Sequence, residues 1–104
     1  MIRVSVLYAN EPGYRFDHDY YMNTYLPLLK EKMTPLGLVR VEIDKGISAP
    51  DPNTPPPFVV MGYLVFNSVE EVHNAFKTVG KEVMSHIPNY TDIKPQIQIS
   101  EMVS

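Results

Sequence analysis

Seven tyrosines and three histidines carry most of the chemical capacity of this sequence, because it contains no cysteine. A phenol can give a proton or a hydrogen bond to a developing oxyanion, and its oxygen needs a partner when it is buried. Tyr20, Tyr21, Tyr25, Tyr63 and Tyr90 are the candidates. Tyr25 falls in a helical pattern and Tyr63 in a strand apolar on both faces, so a helix–sheet or dimer crevice would let them meet around a small-molecule site. These two are the candidate catalytic residues, and Tyr21 and Tyr90 the candidate substrate-binding walls. Gln96 and Gln98 lie on one face of the last strand. They either supply neutral donors and acceptors to that pocket or pair with their copies across a twofold. A pocket of this kind suits a polar aromatic or oxygenated compound, not a phosphate. For any single tyrosine, plain packing is the competing explanation.

The other chemistry-bearing residues point away from metals and cofactors. His18, His73 and His86 have no ligand spacing. His18 and His73 fit solvated helix faces, while His86 fits either the surface or the rim of a pocket. Asp17, Asp19, Glu70 and Glu71 fit helix caps and dipole partners. No phosphate loop, dinucleotide-binding turn, zinc-protease motif or nucleophile elbow is present. No metal and no cofactor is expected.

Those residues must be positioned by one small fold. The 104 residues, 44% hydrophobic and 20% charged, suit one domain over 1–104. A net charge of −3 gives no electrostatic case for nucleic acid or an anionic membrane. The longest apolar runs are strand-sized, the N-terminus enters a strand pattern at once, and the lack of cysteine suits a reducing compartment, so a cytoplasmic location is expected.

Ile2, Val4, Val6 and Tyr8 share one face of a first strand. Asp17 can cap a helix to about Met33, with Met22, Leu26, Leu29 and Met33 as its core stripe and Tyr21, Tyr25 and Leu28 beside it. Pro27 predicts a kink or break there, and Gly37 an end. Leu38 to Ile47 alternates as a second strand, and the proline-rich stretch Ser48 to Pro57 reads as a stiff, extended connection. Phe58 to Phe66 is a third strand. Ser68-Val69-Glu70-Glu71 is a capping box opening a second helix with core stripe Val69, Val72, Phe76 and Val79, which Gly80 can close. Gln96 to Ser100 alternates as the last strand. The order β-α-β-β-α-β is the α+β, ferredoxin-like arrangement with an antiparallel sheet. Its two helices cover one sheet face, yet the third strand is apolar on both. A second copy packed sheet to sheet would cover the other face as a homodimer. The alternative is an exposed patch around Tyr63.

The run Phe16-Asp17-His18-Asp19-Tyr20-Tyr21-Met22-Asn23-Thr24-Tyr25-Leu26-Pro27-Leu28 resembles the first-helix signature of EthD-like proteins, the ethyl tert-butyl ether degradation family. Pro55-Pro56-Pro57-Phe58, Ile87-Pro88-Asn89-Tyr90-Thr91-Asp92-Ile93 and Gln96-Ile97-Gln98-Ile99-Ser100-Glu101 resemble that family too, so the likeness covers nearly the whole chain. It implies a dimeric α+β barrel and an oxidoreductase-associated role without a cofactor. The family pattern carries a histidine two residues before the helix-one proline, where this chain has Tyr25, and many relatives carry one in the third strand, where it has Tyr63. The resemblance therefore implies that an acid–base histidine has changed and that Tyr25 and Tyr63 share one microenvironment. Two functions follow. One is a cofactor-free enzyme or pathway component in oxidative catabolism of small organic compounds, with the two tyrosines orienting the ligand or stabilising an oxyanion. The other is a non-catalytic ligand-binding or carrier dimer. A dimer with a vestigial pocket is a third possibility.

Overall fold

The computed structural model describes all of residues 1–104. Four strands, β1 (Ile2–Ala9), β2 (Arg40–Lys45), β3 (Phe58–Phe66) and β4 (Gln96–Glu101), form one sheet in the order β2-β3-β1-β4. Every neighbouring pair is antiparallel. With one helix after β1 and one after β3, this is the expected ferredoxin-like α+β fold.

The first helix begins as expected. Asp17 accepts a hydrogen bond from the Tyr20 N–H at 3.0 Å, satisfying one of the free amides of the first turn. The predicted break at Pro27 does not occur. Residues 18–33 run on through α-helical His18–Tyr20, π-helical Tyr21–Tyr25 and α-helical Leu26–Met33. Leu26 N–H bonds Tyr21 O, so the turn before Pro27 holds one extra residue. That residue shifts the helix phase. Counting back from Leu26 by an α-helical four reaches Met22; counting by five reaches Tyr21. Met22 is accordingly 49% exposed, while Tyr21 and Tyr25 are buried. The tyrosine stripe, not Met22, continues the core face of Leu26, Leu29 and Met33.

The 3-10 turn Thr34–Leu36 and left-handed Gly37, at φ 112°, close the segment. A side chain at Gly37 would also run into Glu71. The proline-rich connection is less extended than expected. Ala49 N–H bonds Thr54 O, and Thr54 N–H bonds Asp51 O, so its middle folds into turns.

Ser68 caps the second helix by accepting from the Glu71 N–H at 3.2 Å. Gly80 does not close it. Val69–Ala75 leads through a second π-helical segment, Phe76–Gly80, to α-helical Lys81–Met84. Val69 is 39% exposed, and Val72, Ala75 and Val83 carry the packing instead. Both helices lie on the sheet face made by Val4, Val6 and Tyr8 of β1 with Val60, Gly62 and Leu64 of β3, which pair in register. No helix is long and apolar enough to cross a membrane.

Candidate functional site

The aromatic residues converge where the first helix, the end of β1 and the segment after the second helix meet. Backbone contacts bring that last segment in. Asp17 N–H bonds Tyr90 O at 2.7 Å, and Phe16 forms an isolated antiparallel bridge with Thr91. The buried Thr91 hydroxyl donates to Arg15 O at 2.7 Å and accepts from the Ile93 N–H at 3.1 Å. Tyr90 is thereby pinned beneath the start of the first helix.

Its hydroxyl meets that of Tyr8 at 2.6 Å, with both residues fully buried. The Tyr25 ring lies 4.7 Å from the Tyr90 ring, and Tyr21 stacks on Tyr25 at 5.8 Å with 16° between planes. Phe16 closes the cluster edge-on against Tyr8 and Tyr21. The π-helical turn places Tyr21 and Tyr25 on one side, which ordinary helical spacing would also bring near each other but aimed differently against the leucine face.

Below the cluster is a cavity of about 30 Å3. Tyr8, Tyr21 and Tyr25 form one wall, and Gly62 is the only lining residue without an apolar side chain. A β-carbon at Gly62 would lie 3.0 Å from Tyr21 Oη, so glycine leaves this hydroxyl room over the sheet.

Burial governs the electrostatics. Removal from water pushes the Tyr8 phenol up from 10.0 to about 12, the hydrogen bond to Tyr90 partly opposing the rise. Burial raises Tyr21, Tyr25 and Tyr90 as well, and the neighbouring phenols add to it. All four are therefore neutral near pH 7. They are hydrogen-bond donors and not bases. His18, at the margin, is lowered by burial and by Lys45. No group of three or more histidine, cysteine, aspartate or glutamate side chains could hold a metal ion.

The expected residues divide. Tyr21 and Tyr25 line the cavity, and Tyr90 supports it from behind. Tyr63 does not join them. Gly62 faces the helices, so its neighbour Tyr63 points to the opposite face, where the Arg3 guanidinium lies 5.1 Å from its ring centre. The expected shared microenvironment of Tyr25 and Tyr63 is thus corrected by simple strand alternation. Gln96 is on that opposite face too, in register with Leu7, and its neighbour Ile97 lines the cavity instead. Gln98 donates to Ser100 within its own strand. His86 is half-buried beside Asn89 and lines no part of the cavity. Tyr8 and Phe16 were missed. The signal for Tyr8 was available: it ends the apolar face of Ile2, Val4 and Val6, where a buried phenol requires a partner.

No family model matches the chain, and no curated protein does. Solved structures do. An EthD-like protein from Ralstonia eutropha is 36% identical, covers 99% of this chain and 92% of its own, and superposes with a TM-score of 0.92. The chain belongs to the EthD-like family. An ethyl tert-butyl ether degradation (EthD) family protein from Bacillus halodurans is similar to this EthD-like chain at 20% identity, with 99% of each covered and a TM-score of 0.69. A dimeric ferredoxin-like protein from an uncultured marine organism shares the fold at 14% identity, covering 100% of this chain and 96% of its own, with a TM-score of 0.56.

Proposed function

We propose that this EthD-like chain binds a small, largely apolar organic compound between its helices and sheet, presents protonated phenols to one oxygen of that compound, and works as a homodimer in oxidative catabolism. The observation that carries this reading is the buried Tyr8–Tyr90 hydroxyl pair beside an apolar cavity. Two hydroxyls joined by one hydrogen bond leave one O–H proton free to donate. In a water-poor site such a donor stabilises a developing enolate or alkoxide far better than it would in water. A cofactor-free reaction of that kind needs its base from the substrate or solvent, since burial keeps the phenols protonated. From the first helix, Tyr25 packs on Tyr90 and Tyr21 on both members of the pair.

The carrier reading has its own support. Tyr25 stands where the family resemblance implies histidine, and every side chain lining the cavity is apolar or phenolic. Such walls bind well and transfer protons poorly near neutral pH.

Homodimerisation rests on the sheet face away from the helices, where Leu7 pairs with Met61 and Tyr63 follows on the same strand, all three half-buried beside Ser5, Glu42 and Asp44. The name of the dimeric ferredoxin-like neighbour adds to that support.

The test is a panel of small ethers, ketones and phenols, followed by native mass spectrometry and by product analysis. Saturable binding with product supports the catalytic reading, and binding without product the carrier. In either case Tyr8→Phe/Tyr90→Phe should lose binding of oxygen-bearing compounds by about tenfold while keeping apolar ones. Failure of every compound to bind at millimolar concentration would overturn both.

A further inference from the structure

Tyr21 separates two spaces. Its ring lines the inner cavity and also a surface cleft of about 290 Å3 that it shares with His18, Met22 and Lys45, and Ile43 borders both. The inner space, about 30 Å3, has room for one water. A cavity must approach roughly 150 Å3 to take a benzene-sized molecule. No organic ligand enters until a wall moves.

The walls differ in how firmly they are held. Val6 and Leu64 belong to the two central strands. Tyr8 is tied to Tyr90 by its hydroxyl, and Tyr25 packs closely on Tyr90. Tyr21 packs on Tyr90 too, at 5.1 Å, but unlike Tyr8 it has no hydroxyl tie. It is only 3% exposed, yet none of the tyrosine hydrogen bonds in the structure involves its hydroxyl. It rides on a π-helical turn and borders open space on its outer side. In the cleft, Asp19 and Lys45 would offer its hydroxyl partners that the cavity does not.

The niche it fills is shaped for an aromatic ring. One face stacks on Tyr25, the edges meet Tyr8 at 6.1 Å and Phe16 at 5.2 Å, and the oxygen lies over Gly62. We propose that Tyr21 is a displaceable plug: its side chain swings into the outer cleft, and a monocyclic phenol-like compound takes its place, stacked on Tyr25 with its oxygen turned to the Tyr8–Tyr90 hydroxyl pair, whose spare proton it accepts. This rests on the small-molecule-binding reading and names its ligand class.

The experiment uses the full chain with 3-fluorotyrosine at position 21, titrated with p-cresol and followed by fluorine NMR. A second, solvent-exposed resonance should grow in proportion to bound p-cresol. Tyr21→Ala should bind p-cresol about tenfold more tightly than the parent, because nothing has to be displaced. Adding Tyr8→Phe/Tyr90→Phe to Tyr21→Ala should weaken p-cresol about tenfold more than it weakens toluene, which has no oxygen to accept the spare proton. Binding of p-cresol with the position-21 resonance unmoved, as entry between Met84 and Ile97 would give, overturns the plug and leaves the binding reading intact. Binding of other compounds with p-cresol rejected by both proteins overturns the ligand class. Failure of both proteins to bind any compound overturns the binding reading and the plug together.

Discussion

The hydroxyl oxygens of Tyr8 and Tyr90 lie 2.6 Å apart in the core, although 82 positions separate them in sequence. One hydrogen bond thus fastens the end of β1 to the segment after the second helix, at the place where the first helix delivers Tyr21 and Tyr25. The pair acts both as a structural tie and as the polar point of an otherwise apolar site.

Removing either hydroxyl alone strands the other in the core. Tyr8→Phe and Tyr90→Phe should each destabilise the chain by about 1–3 kcal/mol. The double variant should lose much less than the sum, because no unpartnered oxygen remains. Urea unfolding of all four proteins checks this, and additive losses would contradict it.

The four buried phenols make stability sensitive to alkali. Tyr8 titrates near 10.0 when unfolded and near 12 when folded. Between those values the unfolded state has shed a proton that the folded state keeps, so stability must fall as pH rises. It is fully present well below pH 10, and Tyr8 alone accounts for about 2 kcal/mol of loss by pH 12. Burial raises Tyr21, Tyr25 and Tyr90 in the same direction, which steepens the fall. Phenolate absorbance and far-UV circular dichroism recorded together should show these tyrosines ionising as the helices melt. Ionisation of all of them with helicity intact would show that they are not buried as described.

The strand order could be read from alternation, and the start of each helix from Asp17 and Ser68, because caps and period-two patterns are local. The phase of the helices could not. A π-helical turn changes which side faces inward, and nothing in the spacing of Met22, Leu26 and Leu29 announces it. That one residue exchanged Met22 for Tyr21 on the core face. Tyr63 was misplaced for the opposite reason. Two apolar faces on β3 were legible, but they are different environments, one under the helices and one open, and a shared tyrosine type does not bridge them. The Tyr8–Tyr90 bond depends on a contact across nearly the whole chain, which no local pattern encodes.

Asp17 joins the capping of the first helix to the position of Tyr90, since its carboxylate accepts from Tyr20 N–H while its own N–H bonds Tyr90 O. Asp17→Ala keeps the second bond and loses the first. A loss of about 1 kcal/mol is expected, with little change in ligand binding. Thermal unfolding and the binding panel, run side by side, check both parts. A large loss of binding at small cost in stability would mean that the cap sets the tyrosine geometry directly.

The homodimer is tested on the sheet face opposite the cavity. There Met61 is flanked in register by Leu7 on β1 and Asp44 on β2, with Tyr63 two residues along the same strand. A twofold packing of this face on itself places each substitution in the interface twice. Met61→Glu would therefore set a second carboxylate beside Asp44 and bring its twofold copy into the same contact, a like-charge and desolvation cost that packing there cannot offset. The side chain points away from the cavity, so the site within each protomer is untouched. Sedimentation should give a dimer at micromolar concentration for the parent and a folded monomer for Met61→Glu. If p-cresol or another bound compound is still held by that monomer, the site is complete within one chain. A parent that sediments as a monomer removes the dimer, and leaves Leu7, Met61 and Tyr63 as a half-buried patch facing solvent.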